Sequence, residues 1–239
     1  FDYGIAVALI SAFTAAAAAI EAQAGSRSSF VATAGTEFKG RFSQLFADNA
    51  RVASADAMEL SDRLREVATG ARRLKEEAHA ESERRRLARE WKQRRDEREA
   101  NWLDSAVDWF IGAEDPPVGP PANEIKIVTA APRSGVRQTP APGNGGGGGG
   151  GVSAARPSDL RSFATGSATL NAELSGKPGA LRGNLADFAA RCTHGSLSAD
   201  GVVTGFERWL TANDQDVSWA KTIADAFAAA GGEGNVSQV

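Results

Sequence analysis

Apolar side chains recur every three or four residues through most of this chain, and that spacing is typical of helices that pack against other helices. The N-terminal part contains no charged residue from position 4 to position 20. Its apolar positions are Ala6, Leu9, Phe13, Ala16 and Ile20. Alanine makes up nearly half of residues 4–20, so a second helix can approach closely. We predict a first helix over about residues 2–32.

A second row of apolar residues follows at alternating intervals of four and three, which is a heptad repeat. It consists of Ala53, Ala57, Leu60, Leu64, Val67, Ala71, Leu74 and Ala78. Phe42, Leu45 and Phe46 widen the apolar face at its start. After this row the residues up to 99 are mostly charged helix formers, with Glu81 four residues before Arg85. We therefore predict a long second helix whose last part is a solvated extension.

The segment between these two helices ends in Phe38-Lys39-Gly40. Glycine permits backbone angles that other residues resist, so it suits a sharp reversal of the chain. Two amphipathic helices joined by a short turn pack side by side in opposite directions. The sequence thus predicts an antiparallel helical hairpin with a long charged extension over residues 1–112.

A second helical region is predicted over residues 157–232. Its first apolar row is Leu160, Phe163, Ser167, Leu170, Leu174, Leu181, Leu185, Phe188 and Cys192. The segment Gly176–Gly179 interrupts this row without changing its register, which favours a kink in one long helical arm. Residues 193–201 are predicted to form the turn. The last helix carries Val202, Phe206, Trp209, Asn213, Val217, Ala220, Ile223, Ala224 and Phe227, and the polar Asn213 in that row can fix the helix register.

Residues 113–156 differ in composition and predict a linker. Seven of the nine prolines lie there, in an extended stretch, followed by seven consecutive glycines at 145–151 that favour a flexible coil. Glu124–Val128 alternates like a short strand that can add to the edge of a partner's sheet. We expect an all-α fold of two antiparallel helical hairpins joined by a disordered Pro/Gly-rich linker, with a polar tail at 233–239.

Composition excludes several classes of function. With 27 basic and 30 acidic residues, a general nucleic-acid-binding role is not indicated. A single cysteine, Cys192, excludes an internal disulfide and a cysteine-based metal cluster. The two histidines, His79 and His194, have no acid and nucleophile spaced to work with them. We therefore expect no catalytic residues, no metal site and no cofactor, and the chain is not expected to be an enzyme.

The apolar stretch at residues 4–20 also resembles a membrane span in composition. It is at the lower limit of length for a span, and it lacks the basic residues that precede the apolar core of a signal peptide. Its three-and-four spacing favours a helix that packs on protein. We therefore expect no membrane insertion and no cleavable signal peptide.

The N-terminal region resembles the WxG family, the small helical hairpins exported by type VII (ESX) secretion systems. Phe38-x-Gly40 takes the place of the family's Trp-x-Gly turn, and the apolar positions after it match the second helix. Residues 157–232 look like a second hairpin without that turn motif. The resemblance implies an actinobacterial protein that is cytoplasmic before export and then secreted or bound to the cell surface. Longer relatives of this kind sometimes deliver a toxin domain.

The resemblance also implies particular partner surfaces. A small WxG-like hairpin would pack on the seam of the second helix and complete a four-helix bundle, and the secretion machinery would contact the charged extension and linker. We assign this partner seam to Phe42, Phe46, Leu60, Leu64, Val67 and Leu74. Trp102, Trp109 and Phe110 are predicted to form a docking patch; the alternative is that their apolar segment folds back on the second helix or covers an end of the hairpin. The family's Tyr-x-x-x-Asp/Glu export signal is absent, and Phe110 with Glu114 has a similar spacing.

Two other interpretations stay open. The chain fits a non-secreted helical scaffold, in which the same seams serve homo-oligomerisation. It also fits a membrane-active hairpin that inserts through residues 4–20. A stable complex with a small helical protein favours the secretion hypothesis over both.

Overall fold

The computed structural model describes residues 1–100, 119, 124–142 and 154–229. Within these ranges the chain is predominantly helical, which confirms the all-α class. The helices are α1 (Tyr3–Gly35), α2 (Arg41–Ala100), α3 (Pro157–Leu174), α4 (Lys177–Arg191) and α5 (Asp200–Ala229). The strands are β1 (Ile125–Val128) and β2 (Gly195–Ser198).

Helices α1 and α2 lie side by side and run in opposite directions. The carboxylate of Asp2 caps α1 by accepting a hydrogen bond from the amide of Ile5 at 3.1 Å. Near the middle of α1, Glu21 pairs with Arg65 of α2. At the start of α1, the ring of Tyr3 lies 6.2 Å from that of His79. Since α2 ends at Ala100, its last five turns continue beyond the start of α1.

The C-terminal region packs directly on this hairpin. Proline at the start of α3 suits the first turn of a helix, where its missing N–H is not needed. A break at Ser175 and Gly176 separates α3 from α4, as the interrupted apolar row predicts. Both helices contact α1, while α5 contacts α2 and α3. The two halves therefore form one helical body.

The prediction of a disordered linker is wrong for residues 124–142, which we call the crossing segment. Its strand β1 pairs in parallel with β2, with Ile125 opposite Gly195 and Val128 opposite Ser198. The amide of Thr129 extends this ladder with a hydrogen bond to the carbonyl of Ser198 at 3.0 Å. The strand therefore finds its partner within the chain, inside the region predicted to be only a turn.

After β1 the crossing segment runs along α2 and α5. Its main chain donates hydrogen bonds to side chains of α2. Asp56 accepts from the amide of Gly135, and Asn49 accepts from the amide of Gln138, both at 2.9 Å. On the other side, the indole of Trp219 donates to the carbonyl of Pro140 at 2.8 Å. Asn49 also donates to the carbonyl of Gln138 at 2.9 Å, so individually placed polar side chains of both helices hold the segment.

Buried apolar side chains form two clusters. The main cluster joins α1, α2, α4 and α5 around Leu9, Phe13, Leu60, Leu64, Leu74, Leu181, Phe188, Val202 and Phe206. The turn cluster lies by the α1–α2 turn and contains Phe38, Phe42, Phe46, Leu160, Phe163, Trp219, Ile223 and Phe227. Rings make up much of the turn cluster, whereas aliphatic and alanine side chains fill most of the main cluster.

Helix α1 is long and apolar enough to cross a membrane by length and composition. Its most apolar window is 39% buried inside the protein. The inner face contributes Leu9, Phe13 and Ile20 to the main cluster. The outer face carries exposed small residues, among them Ala8, Ser11, Ala15, Ala18 and Ala22.

Candidate functional site

The predicted turn residues lie where the two helices reverse direction. Phe38 is 4% exposed, and its ring centre lies 5.8 Å from that of Phe46 and 6.1 Å from that of Phe227. Gly40 has a φ angle of 89°, a left-handed conformation that side chains disfavour. Between them, the amide of Lys39 donates to the carbonyl of Ala154 at 2.7 Å. The aromatic residue thus fixes the turn from inside, and the glycine allows it to close.

The predicted partner seam is buried within this chain. Phe42 and Phe46 belong to the turn cluster, and Leu60, Leu64, Val67 and Leu74 belong to the main cluster. All six are at most 7% exposed. The interpretation of these residues as a surface offered to a separate protein is therefore corrected, because α1 and the C-terminal helices cover them.

The predicted docking patch of Trp102, Trp109 and Phe110 lies outside the described residues. The same holds for Glu114, the second half of the predicted export signal. Both assignments stay predictions.

Cys192 and His79 both make contacts with residues at the start of α1. Cys192 is buried, and its thiol donates to the carbonyl of Asp2 at 3.3 Å. Burial raises the pKa of this thiol, which keeps it protonated and weakly nucleophilic at neutral pH. His79 contacts the ring of Tyr3 on the opposite side of the helical body from the turn cluster. In the described ranges, no group of three His, Cys, Asp or Glu side chains is placed to hold a metal ion.

Sequence reasoning missed a polar layer that crosses the helical body. The apolar row of α1 continues from Ile20 at the same spacing, but with Gln23 and Arg27. Polar residues also occupy core positions of α3 and α5, at Asn171 and Asn213. Polar side chains at positions where the helical spacing calls for apolar ones indicate such a layer, and this signal was used only for Asn213. We call these four residues the polar layer.

Hydrogen bonds from three members of the polar layer, Gln23, Arg27 and Asn171, connect α1, α3 and α5. Gln23 donates to the carbonyl of Leu170 at 2.9 Å. Arg27 donates to the side-chain oxygen of Asn171 at 2.9 Å. The amide of Asn171 donates in turn to Asp214 at 2.7 Å. Because buried polar groups need matched partners, these contacts fix how α3 and α5 align with α1.

A cavity of about 470 Å³ lies beside the polar layer, where α1 and α2 face each other. Members of both clusters line it, so it lies between them. The lining includes Ile20, Glu21, Ala24, Arg27, Ser28, Val31, Phe46, Asn49, Ala50, Arg51, Ala53, Ser54, Ala57, Met58, Phe163, Ser167, Trp209, Asn213, Asp216 and Trp219. Small residues of α1 and α2 leave the gap, and aromatic residues of α2, α3 and α5 line its interior. This volume is within the range of small-molecule sites.

Arg27 is a charged residue of this cavity whose hydrogen-bond partners are neutral. Its guanidinium lies 5.0 Å from the ring centre of Trp209, in a cation–π contact. Its hydrogen bonds go to the neutral oxygens of Gln23 and Asn171, and its Nε has no acceptor. Burial and the nearby charge of Arg137 lower the pKa of Arg27 to about 10, which leaves it charged at neutral pH. Among the residues that the structure describes, no carboxylate forms an ion pair with it.

A second arginine, Arg137 of the crossing segment, is placed behind the cavity wall. Its side chain is 6% exposed and pairs with Asp216 at 2.6 Å and, at 3.5 Å, with Asp56. The same guanidinium donates to the side-chain oxygen of Asn213 at 2.7 Å. Burial raises the pKa of Asp216, although Arg137 and a hydrogen bond from Asn49 oppose that shift.

No family model, curated protein or solved structure matches this chain. The turn, the hairpin and the cavity are therefore the observations that support a function.

Proposed function

We propose that this protein is a type VII secretion-associated substrate or targeting module that acts through helix–helix contacts. The observation that supports this most is the α1–α2 turn. A buried aromatic residue, Phe38, precedes by two positions a glycine whose φ angle is 89°. A motif of this spacing, at the reversal of two antiparallel helices, is what the resemblance to the WxG family leads one to expect.

In this proposal the C-terminal half takes the place of the separate partner hairpin. Helices α3 and α4 cover α1, and α5 packs on α2 and α3. The apolar seams are thereby satisfied within the chain. A small WxG-like protein or the secretion machinery would instead bind outer surfaces, so such an interface is expected to be more polar than the seam.

The end of α2 beyond α1 offers one such surface. Exposed charges alternate there in ion pairs, with Arg86 between Glu83 and Glu90. Exposed pairs of this kind add little stability, so replacing them leaves the fold intact. We assign contact with the machinery to this extension. The chain then has a carrier role, with no reaction of its own and no cofactor, and it fits the delivery region of a toxin.

Export is the direct test. The tagged chain would be expressed in an actinobacterium with a working type VII system and in a matched strain whose secretion ATPase is inactive. We expect the protein in the culture filtrate or at the cell surface of the first strain only, with a cytoplasmic enzyme as the lysis control. Equal amounts outside both strains, or retention in both, would overturn the proposal.

Charge reversal locates the surface. Arg86→Glu combined with Arg89→Glu changes two exposed positions of the extension. Arg72→Glu combined with Arg73→Glu makes the same change on α2 where it lies beside α1, and serves as the matched control. We expect export to fall severalfold with the first pair only. Equal export of both variants would remove the extension from the proposal.

A further inference from the structure

The cavity between the two clusters combines a partly buried cation with aromatic walls. Arg27 borders it without an ion pair among the described residues, and Phe46, Phe163, Trp209 and Trp219 line it. We propose that this cavity binds a small aromatic carboxylate, with the carboxylate at Arg27 and Asn213 and the ring system among the aromatic side chains. This binding is independent of secretion, so each proposal can fail without the other.

The charge of Arg27 supports an acidic ligand. Removing a guanidinium from water is costly unless an opposite charge or sufficient hydrogen bonds replace the lost solvation. Here Gln23 and Asn171 supply neutral oxygens, while the Nε donor has none. Asp214 and Glu173 favour the charged form only from a distance. A ligand carboxylate would supply the missing acceptor and the missing charge together.

Asn213 supplies a second donor. Its side-chain oxygen accepts from Arg137 at 2.7 Å, which fixes the orientation of the amide, since the reversed amide would direct N–H groups at a guanidinium. The Nδ2 group is then left without an acceptor, although the residue is only 5% exposed. Arg27 and Asn213 both border the cavity. The Arg27 Nε and Asn213 Nδ2 atoms themselves lie beneath its surface, so one ligand carboxylate reaches both donors only after the two side chains turn toward the cavity.

The other charges around the cavity are already compensated. Asp216 accepts hydrogen bonds from Arg137 and Asn49. At the mouth, Glu21 pairs with Arg65. Arg51 pairs with Asp48 and its side chain is 75% exposed. Arg27 is therefore the cation that remains to select a negative ligand.

The side chains that line the cavity indicate the chemistry of the ligand apart from its carboxylate. Four aromatic rings favour a flat apolar body, because rings stack on rings with a preferred geometry. Small residues at the mouth, such as Ala24, Ser28, Ala50 and Ser54, leave an entrance between α1 and α2. The volume of about 470 Å³ accommodates a bicyclic ring with one carboxylate.

Isothermal titration calorimetry on the full chain tests this with two probes of nearly equal shape. These are 2-naphthoate, which carries the carboxylate, and 2-naphthamide, which is neutral. We expect one site per chain and at least about tenfold tighter binding of the naphthoate. Equal affinities would show that the cation does not select the ligand, and no binding of either probe would remove the site altogether.

Variants then locate the binding. Arg27→Gln is expected to abolish the preference for naphthoate, whereas Arg73→Gln, at an exposed arginine of α2 outside the cavity lining, keeps it. Ala53→Phe fills the cavity and is expected to abolish binding of both probes while the helical circular dichroism is unchanged. If Arg27→Gln does not fold, Arg27→Lys, which keeps the charge and loses the Nε donor, should retain a reduced preference. Binding that survives Ala53→Phe would overturn the assignment.

Discussion

The α1–α2 hairpin and the crossing segment are both ordered, but different interactions hold them. In the hairpin, apolar side chains repeat at helical spacing and bury themselves as a continuous row. In the crossing segment, the fixed points are one parallel strand pair, hydrogen bonds to Asn49, Asp56 and Trp219, and the ion pairs of Arg137. The first depends on a pattern spread over many residues, and the second on a few individually placed polar groups.

This difference has an energetic consequence. Each buried leucine contributes about 1.5–3 kcal/mol through removal of apolar surface from water, and the contributions of a row accumulate. A hydrogen bond contributes about 0.5–1.5 kcal/mol net, but leaving one buried partner unsatisfied costs more. The hairpin should therefore lose stability by degrees with conservative changes, whereas the crossing segment should depend on single residues.

The largest effect is expected from a charge placed in the hairpin seam. Leu64→Asp introduces a carboxylate at a fully buried position. We expect the free energy of unfolding to fall by more than about 4 kcal/mol in urea denaturation. Ala55→Asp places the same charge at an exposed position of the same helix, and we expect it to lower the free energy of unfolding far less. Matching melting curves for the two variants would contradict the buried seam.

A single change in the crossing segment should come next. Arg137→Met removes the cation from between Asp56 and Asp216 and leaves two largely buried carboxylates unpaired. We expect a loss of about 3–5 kcal/mol at neutral pH and faster hydrogen exchange at the amides of Gly135 and Gln138. Arg133→Met, at an exposed arginine of the same segment, is the control. Unchanged exchange at these two amides would show that Arg137 does not hold the segment.

The pH dependence of this variant follows from the raised pKa of Asp216. A carboxyl whose pKa is higher in the folded state than in the unfolded state favours folding while it is protonated. That contribution is lost as the pH rises through the folded value. Without Arg137 the pKa should rise further, so the deficit of Arg137→Met should be smaller at pH 4.5 than at pH 7.5.

A smaller effect is expected at the turn of the hairpin. Gly40→Ala forces a side chain into the left-handed region, at a φ angle of 89°, and should cost about 1–2 kcal/mol. Gly176→Ala provides the matched control, because its φ of −80° and ψ of −15° are ordinary helical values and nothing crowds the site. That change should stabilise the fold by about 0.4–1 kcal/mol. Equal thermal shifts of the same sign would contradict the strained turn.

The smallest effect is expected from a surface ion pair of the hairpin. The hydrogen bond from Arg65, together with that from Ser61, lowers the pKa of Glu21. A lowered carboxyl pKa stabilises the fold above the group's ordinary pKa, and this stabilisation is lost as the pH falls through the folded value. Since both side chains are about half exposed, solvent screens most of the interaction.

Glu21→Gln should therefore be slightly less stable than the wild type at pH 7 and equal to it in acid. Glu76→Gln, at an exposed position of α2, should show no such convergence. Chemical denaturation at a series of pH values measures this, and a difference between Glu21→Gln and the wild type that persists in acid would contradict the ion-pair explanation.

The sequence predicted what periodicity encodes. The alternating intervals of the second apolar row led to a helix, and Leu60, Leu64 and Leu74 of that row are buried. Periodicity carries no information on which helix covers the row, so the seam was assigned to another protein. The covering helices come from the same chain: α1 precedes the row, and α5 follows it by more than a hundred residues.

Local sequence patterns did not predict the cavity or the ordered crossing segment. Proline and glycine usually mark flexible linkers, and nothing local reveals that Arg137 meets Asp216, 79 residues away. Polar residues Gln23 and Arg27 continued the apolar row of α1 at the same spacing, which was a usable signal for a polar layer. The empty space beside them arises only from how four helices pack, and no single segment determines it.

The parallel pairing of β1 with β2 also sets an order of assembly. Ile125 meets Gly195 across 70 positions of chain, and the groove that receives the rest of the segment needs α5. Contacts between residues so far apart form late, since closing a long loop is entropically costly before the contacts exist. A nascent chain can therefore complete the α1–α2 hairpin early, while the crossing segment docks only after synthesis has passed residue 219.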